Sequence, residues 1–180
     1  MTGVTAMADH LDEPFVHQFL RRLYAAVNAH DAAAVAALCA PDVAWHDPAA
    51  LAPLRGRDAV YRFHHEGMFR ALPDVGVTMI DGPYLSFDHT AVAVRVRIAG
   101  TMTGPLTPPG FAPTDQPVEF ETAEFSRFEG GLLAHHVVVV DRLALAIQIG
   151  AVPGPGSLGE RLGLWGQHLA ALLARTRRAS

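Results

Sequence analysis

The segment Val118–Phe128, VEFETAEFSRF, fixes the kind of fold this chain can adopt. In an extended chain, alternate residues face the same side, so Val118, Phe120, Thr122, Glu124, Ser126 and Phe128 share one face. Such strict alternation suits a half-buried strand. Three neighbouring stretches read the same way: VGVTMIDGPYLSFD, TAVAVRVRIAGTMTG and LLAHHVVVVD, separated by turns and by one Pro/Gly-rich loop, GPLTPPGFAPTDQP. Before Pro73 the period is helical. Phe15, Phe19, Leu23 and Val27, joined by Val16, Leu20 and Tyr24, recur at helical spacing, and Asp31 is placed to cap a short second helix. VAWHDP reads as a brief strand stopped by Pro48. A third helix follows RGRD, with Val60, Phe63, His64, Gly67 and Ala71 along one face. Helices first and a meander of strands afterwards is an α+β arrangement, with a curved, mostly antiparallel sheet closed by three N-terminal helices around a deep pocket.

Beyond the last strand, DRLALAIQIG resumes helical character and AVPGPG reads as a linker. Ser157 with Glu160 forms a capping box that opens a final helix, whose apolar positions are Leu158, Leu162, Trp165, Leu169 and Leu172 or Leu173. The expected division is a domain over residues 1–150 and a linker with an amphipathic helix over 151–180. The helix is suited either to cover the pocket mouth or to pack on a second subunit.

Bulk properties remove several classes of function. A formal charge of −4 gives no basic footprint for nucleic acid. No apolar run is of membrane-spanning length, and the N-terminus lacks a basic start followed by an apolar run. One cysteine, Cys39, permits no internal disulfide and fits a reducing compartment. The expectation is a soluble, cytoplasmic globular protein. Cys39 has no reactive motif around it, and neither a Gly-x-Ser-x-Gly elbow, a phosphate-binding glycine loop nor zinc-ligand spacing occurs.

The chemistry-bearing candidates lie on the pocket side of the strands. SRF-EGG-LL reads as a hairpin with a three-residue loop. If Phe128 pairs with Leu132, Glu124 stands opposite His136 on a face shared with Val138 and Val140. A carboxyl group buried there has its pKa raised, which suits a general acid or base near neutral pH. His135 points to the other face. Asp47, fixed by Pro48 at the end of a strand whose pocket face also carries Trp45, suits a catalytic carboxylate and equally a turn-forming residue. His64 lies on the apolar face of the third helix. Arg95 and Arg97 alternate with Val94, Val96 and Ile98 as a polar outer face facing Glu119 or Glu121.

The order of FLRRLYAAVNAHDAAAVAALCAPDVAWHDP, LRGRDAVYRFH, VAVRVRIAGTMTG and FSRFEGGLLAHHVVVVDRLALAIQIG resembles the SnoaL-like polyketide cyclases, within the fold group of nuclear transport factor 2 and ketosteroid isomerase. The resemblance spans about Phe15 to Gly150. It implies a cone-shaped α+β fold with an apolar pocket, often in a dimer. It also implies that Asp47 stands at the general-base position of the isomerases, Glu124 at their acidic hydrogen-bond donor, and His64 where they have a tyrosine. The match has a gap: Val137 and Val138 replace the tryptophan and catalytic aspartate of a His-Trp-Asp stretch in the cyclases, and Met102 replaces a histidine.

Together these readings give an expected natural-product tailoring enzyme, acting by acid/base chemistry beside a carbonyl of an apolar polycarbonyl small molecule and ending in cyclisation or isomerisation. Asp47 is the expected base, Glu124 the proton donor, and His136 the group that orients Glu124. Tyr24, Trp45, His64, Met102 and Val138 are the expected substrate contacts, with no metal or cofactor and a homodimer as the assembly. Two alternatives compete: epoxide opening or hydroxylation, the former needing Arg95 or Arg97 to turn inward, and a pocket that only binds.

Overall fold

The structure, a computed structural model, describes residues 10–106 and 110–178. Two compact units divide between Arg142 and Leu143, ahead of the Pro/Gly linker. In the first, helix α1 (Glu13–Asn28) starts where the Asp12 carboxylate accepts a 2.8 Å hydrogen bond from the Phe15 amide, with a proline in the first turn. Its buried stripe is Val16, Phe19, Leu20, Leu23, Tyr24, Ala26 and Val27, the face expected from the spacing. Asp31 caps α2 (Ala32–Ala37) in the same way, accepting from the Ala34 amide at 2.9 Å. Helix α3 (Arg57–Arg62) runs into a π-helical stretch, Phe63–Met68, and ends as α4 (Phe69–Ala71). Along it Val60, His64 and Ala71 are buried, while His65 is exposed.

The strands are β1 (Cys39–His46), β2 (Leu54–Arg55), β3 (Gly76–Leu85), β4 (Ala91–Thr101), β5 (Pro117–Glu129) and β6 (Leu132–Val140). They form one sheet in the order β2-β1-β6-β5-β4-β3. Every pair is antiparallel except β1 with β6, which is parallel and sets Trp45 beside His136. The fold class is therefore the expected one: α+β, with a mostly antiparallel curved sheet. Register shifts in β3 between Met79 and Asp81 and between Asp81 and Tyr84 bend the far edge.

The inner sheet face and α1 meet at Phe128, which is fully buried and takes the rings of Phe15 and Phe19 edge-on at 5.3 and 4.7 Å. The outer face carries charge. Arg95 reaches Glu121 at 2.6 Å and Asp81 at 3.5 Å, and Arg97 reaches Glu119 at 3.3 Å and Glu121 at 3.5 Å. Cys39 is buried, with its thiol directed at the Val35 carbonyl and its pKa pushed up to about 11, chiefly by burial. It is packing.

The expected register of the β5–β6 hairpin is corrected. Its loop has two residues, not three: Gly130 and Gly131 both take positive φ (57° and 74°), as a type I′ turn requires, so Glu129 pairs with Leu132. A bulge between Arg127 and Phe128 then adds one more residue of offset. The partner of Glu124 is Val138, and His136 pairs with Ser126. Two single-residue shifts add to two, so the side-chain faces are preserved. Glu124 and His136 still point inward and become diagonal neighbours; His135 is exposed on the outer face.

In the second unit, α5 (Arg142–Gln148) begins at the boundary, and α6 (Leu158–Arg178) opens with the Ser157 hydroxyl accepting from the Glu160 amide and Glu160 accepting from Gly156. Leu158, Leu162, Trp165, Leu169 and Leu173 on α6 are exposed. The side chain of Leu172, and residues 107–109 of the Pro/Gly loop, lie outside the described residues.

Candidate active site

The polar residues on the inner face form one buried cluster. The Tyr24 hydroxyl, brought in by α1, donates to Glu124 Oε2 at 2.9 Å, and Thr122 Oγ1 donates to Glu124 Oε1 at 3.3 Å. His136 Nε2 lies 3.8 Å from Glu124 Oε2, too far for a formed hydrogen bond, and its Nδ1 is 2.9 Å from the Ser126 hydroxyl. Trp45 stands between two histidines, its ring centroid 4.1 Å from that of His136 and 5.3 Å from that of His64. His64 Nδ1 donates to the Val60 carbonyl at 2.8 Å, one turn back on its own helix.

Burial sets the charges. Desolvation raises the pKa of Glu124 to about 7; the hydrogen bonds from Tyr24 and Thr122 oppose the rise, and the negative charge of Asp47 adds to it. Burial lowers His136 to about 3, with His64 reinforcing the effect, and lowers His64 to about 4 against the pull of the Val60 carbonyl. Both histidines are neutral at physiological pH. The His136–Glu124 contact is therefore not an ion pair, and the proton that matters in the cluster is the one on Glu124.

Asp47 sits at the end of β1, half-buried. Its Oδ1 accepts the Ala49 amide at 2.8 Å, and its carbonyl accepts the Ala50 amide at 2.9 Å. The turn-forming reading of Asp47 therefore holds, and it employs one carboxylate oxygen. Desolvation raises the Asp47 pKa, while the Ala49 amide and the Trp45 indole N–H oppose the rise. A cavity of about 260 Å³ opens here, lined by His46, Asp47, Pro48, Ala50, Leu51, Ala52, Pro53 and Val138. Since Val138 is the cross-strand partner of Glu124, the cluster adjoins this wall on the same sheet face.

The structure thus brings Asp47 and Val138 to a cavity and gathers Tyr24, Trp45, His64, Glu124 and His136 into a packed, buried cluster next to it. Met102 is buried, and its backbone is bonded to Thr114, Asp115 and Gln116. Among the described residues, no group of three His, Cys, Asp or Glu side chains could hold a metal ion. Sequence reasoning left out Thr122 and Ser126 as partners of Glu124 and His136. The signal was present: three consecutive inward positions of β5 are polar on an otherwise apolar face.

A search against protein families matches the SnoaL-like polyketide cyclase model over residues 17–149. The chain belongs to the SnoaL-like polyketide cyclase family. Solved structures agree in fold. TsrD from Streptomyces laurentii is 23% identical with a TM-score of 0.66, covering 78% of this chain and 98% of its own. AclR from Streptomyces galilaeus, a candidate hydroxylase, is 22% identical with a TM-score of 0.64, covering 92% and 98%. IdmH from Streptomyces antibioticus, a candidate polyketide cyclase, is 26% identical with a TM-score of 0.59, covering 77% and 99%. The search of curated proteins returns no match. This SnoaL-like chain is accordingly placed among polyketide-tailoring enzymes, and among its described residues no helix is long and apolar enough to cross a membrane.

Proposed function

We propose that this protein catalyses cofactor-independent proton transfer beside a carbonyl of a polyketide-type substrate, leading to intramolecular ring closure or isomerisation. The observation that carries the proposal is the pair of carboxyl groups in unequal environments: Asp47 on the cavity wall, and Glu124 buried beside Val138 of that wall with a pKa raised to about 7. Asp47, with one oxygen tied to the Ala49 amide, takes a proton from the carbon beside the carbonyl. Glu124, protonated, gives its proton to the carbonyl oxygen, so the C–H electron pair becomes the C=C bond of an enol. For ring closure, the enol carbon attacks a second carbonyl and forms the C–C bond. The enol proton returns to Glu124, and the new alkoxide takes the proton held by Asp47. Tyr24 holds Glu124 in place, and His136 packs between Glu124 and Trp45 as a neutral group.

Epoxide opening loses support because Arg95 and Arg97, the basic residues it would need, are exposed and paired on the outer face. A pocket that only binds is disfavoured by the desolvation of Glu124, which a purely structural residue at this position would not require. The exposed Phe125, Val137 and Val139 on the outer sheet face support a homodimer, to be checked by light scattering, and the cytoplasm is the proposed location.

The test is deuterium uptake from heavy water into a panel of polycarbonyl compounds, followed by NMR, with wild type compared against Asp47→Asn. Uptake catalysed by the wild type alone supports the reading; equal uptake with the variant removes Asp47 as the base.

A further inference from the structure

Helix α6 lies beyond residue 149, where the match to the family ends, and it carries an apolar stripe that the proposed chemistry does not use. Leu158, Leu162, Trp165, Leu169 and Leu173 are 45–76% exposed. That much apolar surface along one helix marks an interaction face. The spacing says of what kind. Leu158, Leu162, Trp165 and Leu169 follow one another at steps of four, three and four, and Leu172 continues the series in the sequence. This is the narrow seam, repeating every 3.5 residues, of a helix that packs along another helix, rather than the broader stripe of a helix that lies on a sheet or a lipid surface. Gly166 points the same way. Glycine weakens a helix interior, and a Cβ added at Gly166 would meet nothing within 4 Å, so no neighbour in the described chain calls for glycine there. A second helix laid beside Trp165 would occupy that space.

The flanks of the seam choose the partner and its direction. With the stripe at the a and d positions of a heptad, one flank carries Arg161 and His168, and the other carries Gly159, Gly166 and Leu173, none of them charged. In an antiparallel pair of α6 helices like flanks meet, which sets the basic flank against itself. In a parallel pair each flank meets the opposite one, and the aliphatic stem of Arg161 lies over Gly166 of the other copy. We propose that α6 is a self-association helix, pairing in parallel with α6 of a second copy of this chain. Leu158, Leu162, Trp165 and Leu169 then meet their own counterparts across a two-fold axis. This surface is separate from the outer sheet face and from the reaction, so it stands or falls independently of Asp47 and Glu124.

Disulfide trapping in the full-length protein tests the pairing, with single cysteines introduced by Leu158→Cys, Trp165→Cys and Gln167→Cys. Cys39 is buried with its thiol turned to the Val35 carbonyl, so the wild type is the control that does not cross-link. Under mild oxidation Leu158→Cys and Trp165→Cys are expected to give a covalent dimer. Gln167→Cys, on the opposite side of the helix, is expected to give about tenfold less. Leu158→Cys also reads direction, because in an antiparallel pair with overlapping seams its two thiols stand about 20 Å or more apart. Adding Leu162→Asp to Leu158→Cys is expected to abolish the covalent dimer. Three results would overturn the proposal. Trapping at Gln167 equal to that at Leu158 would mean random collision. Trapping at Trp165 without Leu158 would mean an antiparallel pair. Trapping at neither position would rule out self-association through the seam, and a Trp165 emission shift on adding phosphatidylserine-containing vesicles would then assign the stripe to a lipid surface.

Discussion

Glu121 and Glu124 lie three residues apart on β5 and have opposite fates. Glu121 points outward, meets Arg95 at 2.6 Å, and its carboxyl is held below the usual range by that guanidinium. Glu124 points inward, has no cation beside it, and rises to about 7 through desolvation. Strand alternation alone decides which carboxyl is an ordinary surface anion and which is a group that exchanges a proton at neutral pH. If that contrast is what the protein uses, substitutions on the inner face should change rate and pH profile, and those on the outer face should change neither.

The largest expected effect is at Asp47. Asp47→Asn keeps the shape and the Ala49 hydrogen bond while removing the base, so the exchange rate should fall by about 10²–10⁴-fold with an unchanged circular dichroism spectrum. A loss of folded signal would instead mean that the turn, not the chemistry, depends on the carboxylate.

Glu124→Gln comes next and has a signed pH dependence. Below the ordinary glutamate pKa of 4.5, Glu124 is protonated in both folded and unfolded chains, and burying it costs nothing extra. As pH rises from there through about 7, the unfolded chain ionises first, so the wild type loses stability across that window, on the order of 3 kcal/mol in all. Glu124→Gln has no such loss. Denaturant titrations should show the variant gaining on the wild type as pH rises and levelling off above about 7. Wild-type activity should decline over the same upper limb, because the reaction needs Glu124 protonated. A pH-independent stability difference would break the contrast between the two glutamates. Tyr24→Phe should act on the same limb more gently. The Tyr24 hydrogen bond lowers the Glu124 pKa, so its removal should move the alkaline limb of the activity profile upward by about one unit.

Much of this contrast was legible in the sequence, because it depends on alternation. The inward set Thr122, Glu124, Ser126 and His136 and the outward set Arg95, Arg97, Glu119 and Glu121 follow from period two, which survives any even error in register. The direct Glu124–His136 pairing was misread because EGG admits either a two- or a three-residue loop, and a bulge leaves no mark in composition. The partners of Glu124 were harder still. Tyr24 sits on an apolar helical stripe, and the sequence does not say that its hydroxyl reaches across to β5. The cavity at His46–Pro53 is formed by a loop without periodicity, so only Asp47 within it stood out.

The smallest expected effect is the sharpest check on the outer face. Arg95 bridges Asp81 and Glu121 on the exposed outer face, where side-chain entropy and screening cancel most of an ion pair's attraction. Arg95→Ala should leave the melting temperature close to that of the wild type, and raised salt should narrow any difference. The exchange rate and the alkaline limb set by Glu124 should be unchanged. The epoxide-opening alternative needs a basic residue inside the pocket and makes the opposite forecast: Arg95→Ala would abolish turnover while sparing stability. That result would place Arg95 inside the pocket during the reaction, and the inner and outer faces of β4 and β5 would have to exchange roles. An unchanged rate leaves Asp47 and Glu124 as the ionisable groups on which the chemistry rests.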